Sequence, residues 1–347
     1  MTVATSTPRN SSPRASSASV QTACDLCGCR RFESISDYDR HGERLATVIC
    51  WRCGLVQHAV IPHADELLHY YELDYRREYN GEETPSPKRV VREWNRGYER
   101  FKKVSQFLKP NDRVFEIGSG IGCNLKHFEL AGYAASGIEP GSGFSEFSRR
   151  QLHCDVRTGT LQDEPAQVSH DLVLLVHVLE HLNSPTKAFR HIRNILRPGG
   201  RLYVEVPNLA APHSAPKHLF HYAHIFNFTP WTLAMIGQAC GFEVTSVLSA
   251  ERDRELAMMF TRSDVFSREI NSECYLKTLA AMRRYNTLTY HLRPRYLSNR
   301  VHELVQYVRA LWSTEASYQQ ILQLCEQHAL ENRNHPTAIE SARRIAA

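Results

Sequence analysis

The sequence contains no apolar run near the roughly 18 residues that a membrane-spanning helix needs, and its first residues hold no apolar core of the secretory-signal kind. It shows no internal repeat, which sets aside solenoid and propeller architectures. Neither sign of charge dominates: 42 Lys and Arg stand against 37 Asp and Glu, a net +5 over 347 residues. That balance permits an anionic substrate and does not demand nucleic acid. The dinucleotide fingerprint G-x-G-x-x-G is also missing, because the sixth residue counted from Gly118 is Cys123. Nor do the ten cysteines suggest a disulfide framework. Two C-x-x-C pairs dominate them, so reduced thiols, a bound metal and a cytoplasmic setting are expected.

What is present begins with enough chain to bury a sizeable core and to hold two domains, at an ordinary apolar content of 42%. The organising stretch is Arg113 to Gly122, RVFEIGSGIG. Val114, Phe115 and Ile117 favour a buried strand. Gly118, Gly120 and Gly122 follow at alternate positions and can line a cradle with bare backbone. The helix expected over CNLKHFELAG aims its N-terminal amides at the same place. A glycine turn that merely packs is the bland alternative.

Ahead of this stretch, Cys24-Asp-Leu-Cys27 and Cys50-Trp-Arg-Cys53 are separated by 22 residues. Each pair can fold as a knuckle, and two knuckles ending a short β meander make a closed Cys₄ zinc site of structural kind. Cys29 competes with Cys27, and the paired spacing favours Cys27. TVICWRCGLVQ reads as the strand that delivers the second knuckle. Residues 1–21 read as disordered, 22–62 as a zinc ribbon, and 63–109 as a helical lead-in. Within that lead-in, 65–80 carry Tyr70, Tyr71, Tyr75 and Tyr79, and Lys88 to Leu108 form an amphipathic helix.

The E-x-G-x-G-x-G pattern from Glu116 resembles motif I of class I S-adenosylmethionine (SAM) dependent methyltransferases, and its followers keep that family's order. AASGIEP ends in Glu139, HDLVLLVHVLEHL is a buried parallel strand, and LRPGGRLYVEVP is a turn into the next strand. The resemblance spans about residues 101–262. It implies an α/β, Rossmann-like sheet over 110–262, parallel except for an antiparallel last strand. The ribbon would precede that sheet, and a helical extension over 263–347 would follow it. It further implies SAM held by Glu116, Gly118, Gly120, Gly122, Glu139, Thr160, Leu161 and His177. A polar surface turn is the other reading of Thr160 and Leu161.

The ribbon-plus-methyltransferase layout is similar to bacterial enzymes acting on sugars or sugar nucleotides. Some ribosomal RNA guanine methyltransferases also carry an N-terminal zinc module, so RNA stays open as a less favoured acceptor. His177-Val-Leu-Glu180-His181 is similar to the E-x-x-E-H of other methyltransferases, with His177 in place of the first Glu. Around His224 the chain resembles the H-x-H-x-x-x-F-[ST] segment of sugar C-methyltransferases. Tyr222 and Ala223 replace the first His and the Glu there, so that acid–base set is incomplete. The expectation is methyl transfer to a small-molecule hydroxyl, most simply on a sugar, with His224 or His181 as base and Glu180 orienting. A zinc-ribbon adaptor with a repurposed SAM fold is the rival reading. The ribbon's Arg30, Arg31, Arg40, Arg44 and Arg52 are offset by Asp25, Glu33, Asp37, Asp39 and Glu43, so it carries no basic stripe. The helical tail could serve as a lid, a homo-oligomer face or a partner dock.

Overall fold

The computed structural model describes residues 19–20, 23–63, 66, 84–167, 170–211, 214–215, 218–284, 287–292 and 314–333. Nearly all of the tyrosine-rich segment 65–80 lies outside them. So do residues 1–18, on which most of the disordered-tail expectation falls. Ser19–Val20 (β1) depart from that expectation, pairing antiparallel with Val60–Ile61 (β5).

The N-terminal part is a small antiparallel meander of Phe32–Tyr38 (β2), Arg44–Cys50 (β3) and Val56–His58 (β4). Cys50 ends β3 inside the second knuckle, and the chain reverses there to start β4 at Val56. Helix α1, Pro87–Ser105, opens with proline at its first position, where no amide donor is needed. It buries Val90, Gly97 and Val104 on the larger domain.

That domain is built on Arg113–Ile117 (β6), Ala134–Glu139 (β7), Val156–Thr158 (β8), His170–Val176 (β9) and Leu196–Pro207 (β10). Phe242–Val247 (β12) and Glu255–Arg262 (β13) complete it. The seven strands lie in the order β12-β13-β10-β9-β6-β7-β8. β6 pairs in parallel with β7 and β9, and β9 with β10. β13 runs antiparallel between β10 and β12. This is the Rossmann-like methyltransferase sheet with a reversed last strand. In β9, HDLVLLV is buried almost throughout, as a strand covered on both faces must be.

Between the strands run Cys123–Leu130 (α2), Ser142–Gln151 (α3), Pro185–Ile195 (α4) and Pro230–Ala239 (α5). Helix α5 is capped at its start: the Thr229 hydroxyl accepts from the Thr232 amide, with Pro230 at the first helical position. Beyond the sheet come Glu273–Arg283 (α6), Thr287–His291 (α7) and a helix over residues 314–333 (α8). Among the described residues, no helix is long and apolar enough to cross a membrane.

One pairing ties the two parts together. Phe226–Asn227 (β11), from the loop after β10, adds to β4, so the second sheet reads β11-β4-β3-β2. The first knuckle also docks on the larger domain. Asp25 accepts from the Ser184 hydroxyl at 2.5 Å and from the Thr186 amide at 2.9 Å, at the start of α4.

Candidate cofactor cleft and transfer site

The glycine turn follows β6 directly. The Gly118 and Ser119 amides donate to the Ile138 carbonyl, which fixes the turn against β7. Gly118 and Gly120 have φ of +68° and +55°, the left-handed region that glycine occupies freely. They differ in what surrounds them. A Cβ at Gly118 would stand 2.4 Å from Val178 Cγ2, whereas one at Gly120 would enter open space. Gly120 therefore faces the cleft, and Gly118 is a close approach to the loop after β9. Gly122 belongs to neither: a Cβ there would meet the Ser148 hydroxyl at 2.1 Å, so this glycine lets α2 pack on α3.

The cleft beside this turn has a volume of about 140 Å³. Its lining includes Glu116, Gly118, Gly120, Asn124, Phe144 and His177, with three arginines of α1, Arg89, Arg96 and Arg100. Glu116 is buried, with Oε1 accepting from Asn124 Nδ2 at 2.5 Å and Oε2 lacking a partner among the described residues. Burial pushes its pKa up to about 8. Glu139 ends β7 with Oε2 on the Gly120 amide and Oε1 on the Gly141 amide, each at 2.9 Å. A backbone-lined turn, an orphaned buried carboxyl oxygen and a carboxylate at the end of the second strand fit SAM. Thr160 and Leu161 do not reach this lining. The Thr160 hydroxyl donates to Asp163 at 2.8 Å inside its own capping box, and Leu161 is buried in the core.

The candidate transfer site lies at the carboxyl ends of β9 and β10. His177 has φ of +53°, a strained value for a non-glycine residue. Its amide donates to the Glu205 carbonyl at 2.8 Å. Three carboxylates surround its ring: Glu180 is 3.3 Å from Nδ1, while Glu205 and Glu255 are 3.5 and 3.4 Å from Nε2. Burial opposes its charge, but the bonds to Glu180 and Glu205 outweigh burial and raise its pKa to about 10. Glu205 is itself held by Arg100 at 2.7 Å and by the Tyr203 hydroxyl at 2.5 Å. Burial works against its ionisation, and the His177 and Arg100 contacts hold it below the usual carboxylate range all the same.

Glu180 and His181 form a single 3₁₀ turn, Leu179–His181. His181 Nδ1–H donates to the Ala223 carbonyl at 2.7 Å, which leaves Nε2 3.9 Å from Glu180 Oε1. His224 Nε2 lies 4.0 Å from the same oxygen. The His181 and His224 rings meet edge to face at 4.9 Å, and His221 lies against His224 at 3.8 Å. Burial lowers the His181 pKa. Glu180 is 1% exposed, and its Oε2 has no partner among the described residues. Glu180, His181 and His224 place ligand-capable atoms within 4.8 Å of one another, compact enough for a divalent ion. His177 is not part of that cluster; it faces the carboxylates.

In the ribbon, Cys24 Sγ is 3.6 Å from Cys53 Sγ, Cys27 Sγ is 3.5 Å from Cys50 Sγ, and all four sulfurs lie within 4.8 Å. No disulfide joins them. A tetrahedral Zn–S₄ centre with bonds of about 2.3 Å places its sulfurs about 3.8 Å apart, so the four thiols fit zinc. Cys29 points away, toward the Arg31 carbonyl.

Sequence reasoning missed Glu205, Arg100, Asn124 and Glu255. Glu205 carried a readable signal, a charge inside the apolar strand LYVEVP. The others owe their place to packing between distant elements.

Residues 88–247 match the family described as Methyltransferase domain. Over those residues the chain carries a methyltransferase domain. A curated relative, a highly reducing polyketide synthase of Leptosphaeria maculans, is 29% identical over 27% of this chain, which spans about 4% of that relative's length. The fold is similar to that of magnesium protoporphyrin IX methyltransferase from Synechocystis PCC 6803 with bound S-adenosylhomocysteine. That match has TM-score 0.43 and 15% identity, over 58% of this chain and 100% of that one. It is also similar to Burkholderia thailandensis 1,6-didemethyltoxoflavin-N1-methyltransferase, with TM-score 0.42 and 15% identity, over 60% and 96%.

Proposed function

We propose that this methyltransferase methylates a hydroxyl of a small-molecule acceptor, in the simplest case a sugar or sugar-linked metabolite, with His224 as base. The observation that carries the reading is the convergence of His224 and His181 on the buried Glu180 carboxylate, one turn beyond the strand that borders the SAM cleft. Bound SAM supplies an activated methyl group on a sulfonium. The chain's own task is to hold the acceptor oxygen in line and to take its proton. Positioning of this kind contributes on the order of 7–11 kcal/mol. A hydroxyl also needs a base, worth about 10²–10⁴-fold. In this reading the His224 ring accepts the proton, and Glu180 stabilises the resulting imidazolium. Glu116, Gly118, Gly120, Glu139 and His177 hold the cofactor, and the four cysteines hold a structural zinc.

The test uses full-length protein, isotopically labelled SAM and a pool of candidate sugars and sugar nucleotides. His224→Ala is expected to leave SAM affinity nearly unchanged and to lower turnover on the labelled acceptor by roughly 10²-fold or more. Full turnover in both His224→Ala and His181→Ala would remove the base assignment. A second reading draws on the compactness of the Glu180, His181 and His224 cluster: a divalent ion there would bind the acceptor oxygen. Activity abolished by a chelator that spares the ribbon zinc, and restored by added divalent ion, would favour it.

A further inference from the structure

Arg100 is held between α2 and the sheet, and a glycine brings it there. A Cβ on Gly97 would stand 2.9 Å from the Cys123 carbonyl oxygen and 3.1 Å from the His127 ring. The bare backbone at Gly97 therefore lets α1 lie close against the start of α2. Arg100 follows one helical turn later, on the same face, with its side chain 12% exposed. Across from it, Tyr203 and Glu205 are two apart in β10 and so point to one face of the sheet. Tyr203 packs there with Val90 and Val104 of α1.

All three guanidinium nitrogens donate. Nε and Nη2 both reach Glu205 Oε1, at 2.9 and 2.7 Å, and Nη1 reaches Asn124 Oδ1 at 3.3 Å. The remaining atoms of both partners are committed too. The Tyr203 hydroxyl donates to Glu205 Oε2 at 2.5 Å. Because Asn124 Oδ1 faces a group that only donates, its Nδ2 is the atom turned to Glu116 Oε1, at 2.5 Å. Glu205 in turn grips His177 at two points. Its carbonyl accepts from the His177 amide at 2.8 Å, and its Oε1 lies 3.5 Å from His177 Nε2. A continuous line of polar contacts thus runs from Glu116 through Asn124, Arg100 and Glu205 to His177.

We propose that Arg100 is a positioning residue that couples the cofactor cleft to the candidate transfer site. Its planar guanidinium sets Asn124 against Glu116 on one side and Glu205 against His177 on the other. An ion pair that served only the fold would need just the Glu205 end of this arrangement. Lysine would keep the charge but is a point donor, without the fixed fork that reaches both partners. Glu205 is not among the residues lining the cleft. Two routes lead from it to that lining, one through Arg100 and Asn124 and one through His177, and the proposal commits to the first. Its bearing on SAM rests on reading the cleft as the SAM site; the bridge itself does not.

The experiment is NMR of the side-chain amides of full-length protein labelled at asparagine, joined to SAM calorimetry. In SAM-free protein, Glu205→Gln should shift the Asn124 side-chain amide, which lies beyond Arg100. The shift should vanish when the same change is made in an Arg100→Met or Arg100→Lys background. Glu205→Gln should also weaken SAM binding by about fivefold or more when Arg100 is present, and by less than about twofold in either background. An Asn124 amide that Glu205→Gln leaves unmoved would overturn the proposal. So would an equal shift in the Arg100→Lys background, since charge alone would then suffice. A loss of SAM affinity that persists there would route the effect through His177 and overturn it as well. If Arg100→Met does not fold, Arg100→Lys, which keeps a cation beside Glu205, decides. Wild-type protein that binds no SAM would remove the cofactor reading, and the Asn124 resonance in SAM-free protein would still decide the bridge.

Discussion

Glu116 sits at the end of β6 with one oxygen on Asn124 and the other unpartnered among the described residues. Its pKa of about 8 has a sign that can be followed. The unfolded carboxyl ionises near its ordinary value, while the folded one keeps its proton until about pH 8. Folding therefore binds a proton across that window, and stability should fall as pH rises from about 4.5 to 8. A cation entering the cleft favours the carboxylate, so SAM binding at pH 7 should release up to one proton. Calorimetry in two buffers of different ionisation heat should give different apparent enthalpies for the wild type and equal ones for Glu116→Gln. Equal heats in the wild type would show that Glu116 is already ionised.

A second residue-scale prediction separates the two left-handed glycines. Gly120→Val places its side chain in the cleft and should abolish measurable SAM binding, its melting temperature lowered only by the strain of a left-handed backbone. Gly118→Val carries the same strain and also collides with Val178, so it should lower that temperature further. Calorimetry with thermal denaturation distinguishes them, and unimpaired SAM binding by Gly120→Val would contradict the cradle. Which glycine faces ligand and which faces protein was not legible in EIGSGIG, because the three share one residue type. The turn itself was legible, since alternate glycines after an apolar strand admit few other structures.

At the scale of elements, the strands of the larger domain were readable from apolar runs and turn residues. The antiparallel last strand is there as β13, between β10 and β12. The β4–β11 bridge was not readable. It is two residues long and joins positions about 170 apart in sequence, too short for any periodicity to mark. Yet it joins the ribbon to the loop that carries His224, a candidate base. The second knuckle sits at the head of β4, so its loss should propagate along that strand to β11 and His224. Cys50→Ser is expected to lose most of one bound zinc per chain by elemental analysis and to lower turnover by roughly tenfold or more. SAM affinity should hold within a few fold, because the glycine turn is built by β6, β7 and α2. A variant that loses zinc with unaltered turnover would show that ribbon and site are mechanically separate.

At the scale of the whole molecule, the open question in the sequence was the helical extension, whose apolar faces fit several partners. In the structure, α8 has a definite seat. Ile321 and Cys325 are buried in the cluster that also holds Val90, Cys123 and Cys154, on the side of the sheet covered by α1, α2 and α3. Lys126 of α2, 1% exposed, reaches Glu129 at 3.1 Å and His328 of α8 at 3.3 Å. At the other edge His153 meets Glu326 at 2.6 Å. This end of the tail is therefore part of the domain's packing, on α2, whose N-terminus closes the glycine turn. Removing it would take Ile321 and Cys325 off the apolar cluster they cover and leave Lys126 without its partner on α8, at a cost of about 2–4 kcal/mol. A chain cut after residue 313 should melt about 5 °C or more below the full chain and still carry its ribbon zinc, whose knuckles lie on α4 and α6 instead. Because α2 is the helix that lines the cleft with Asn124, SAM affinity should weaken with the loss of α8. An unchanged melting temperature, or one that falls only together with zinc release, would show that α8 is not seated there in solution.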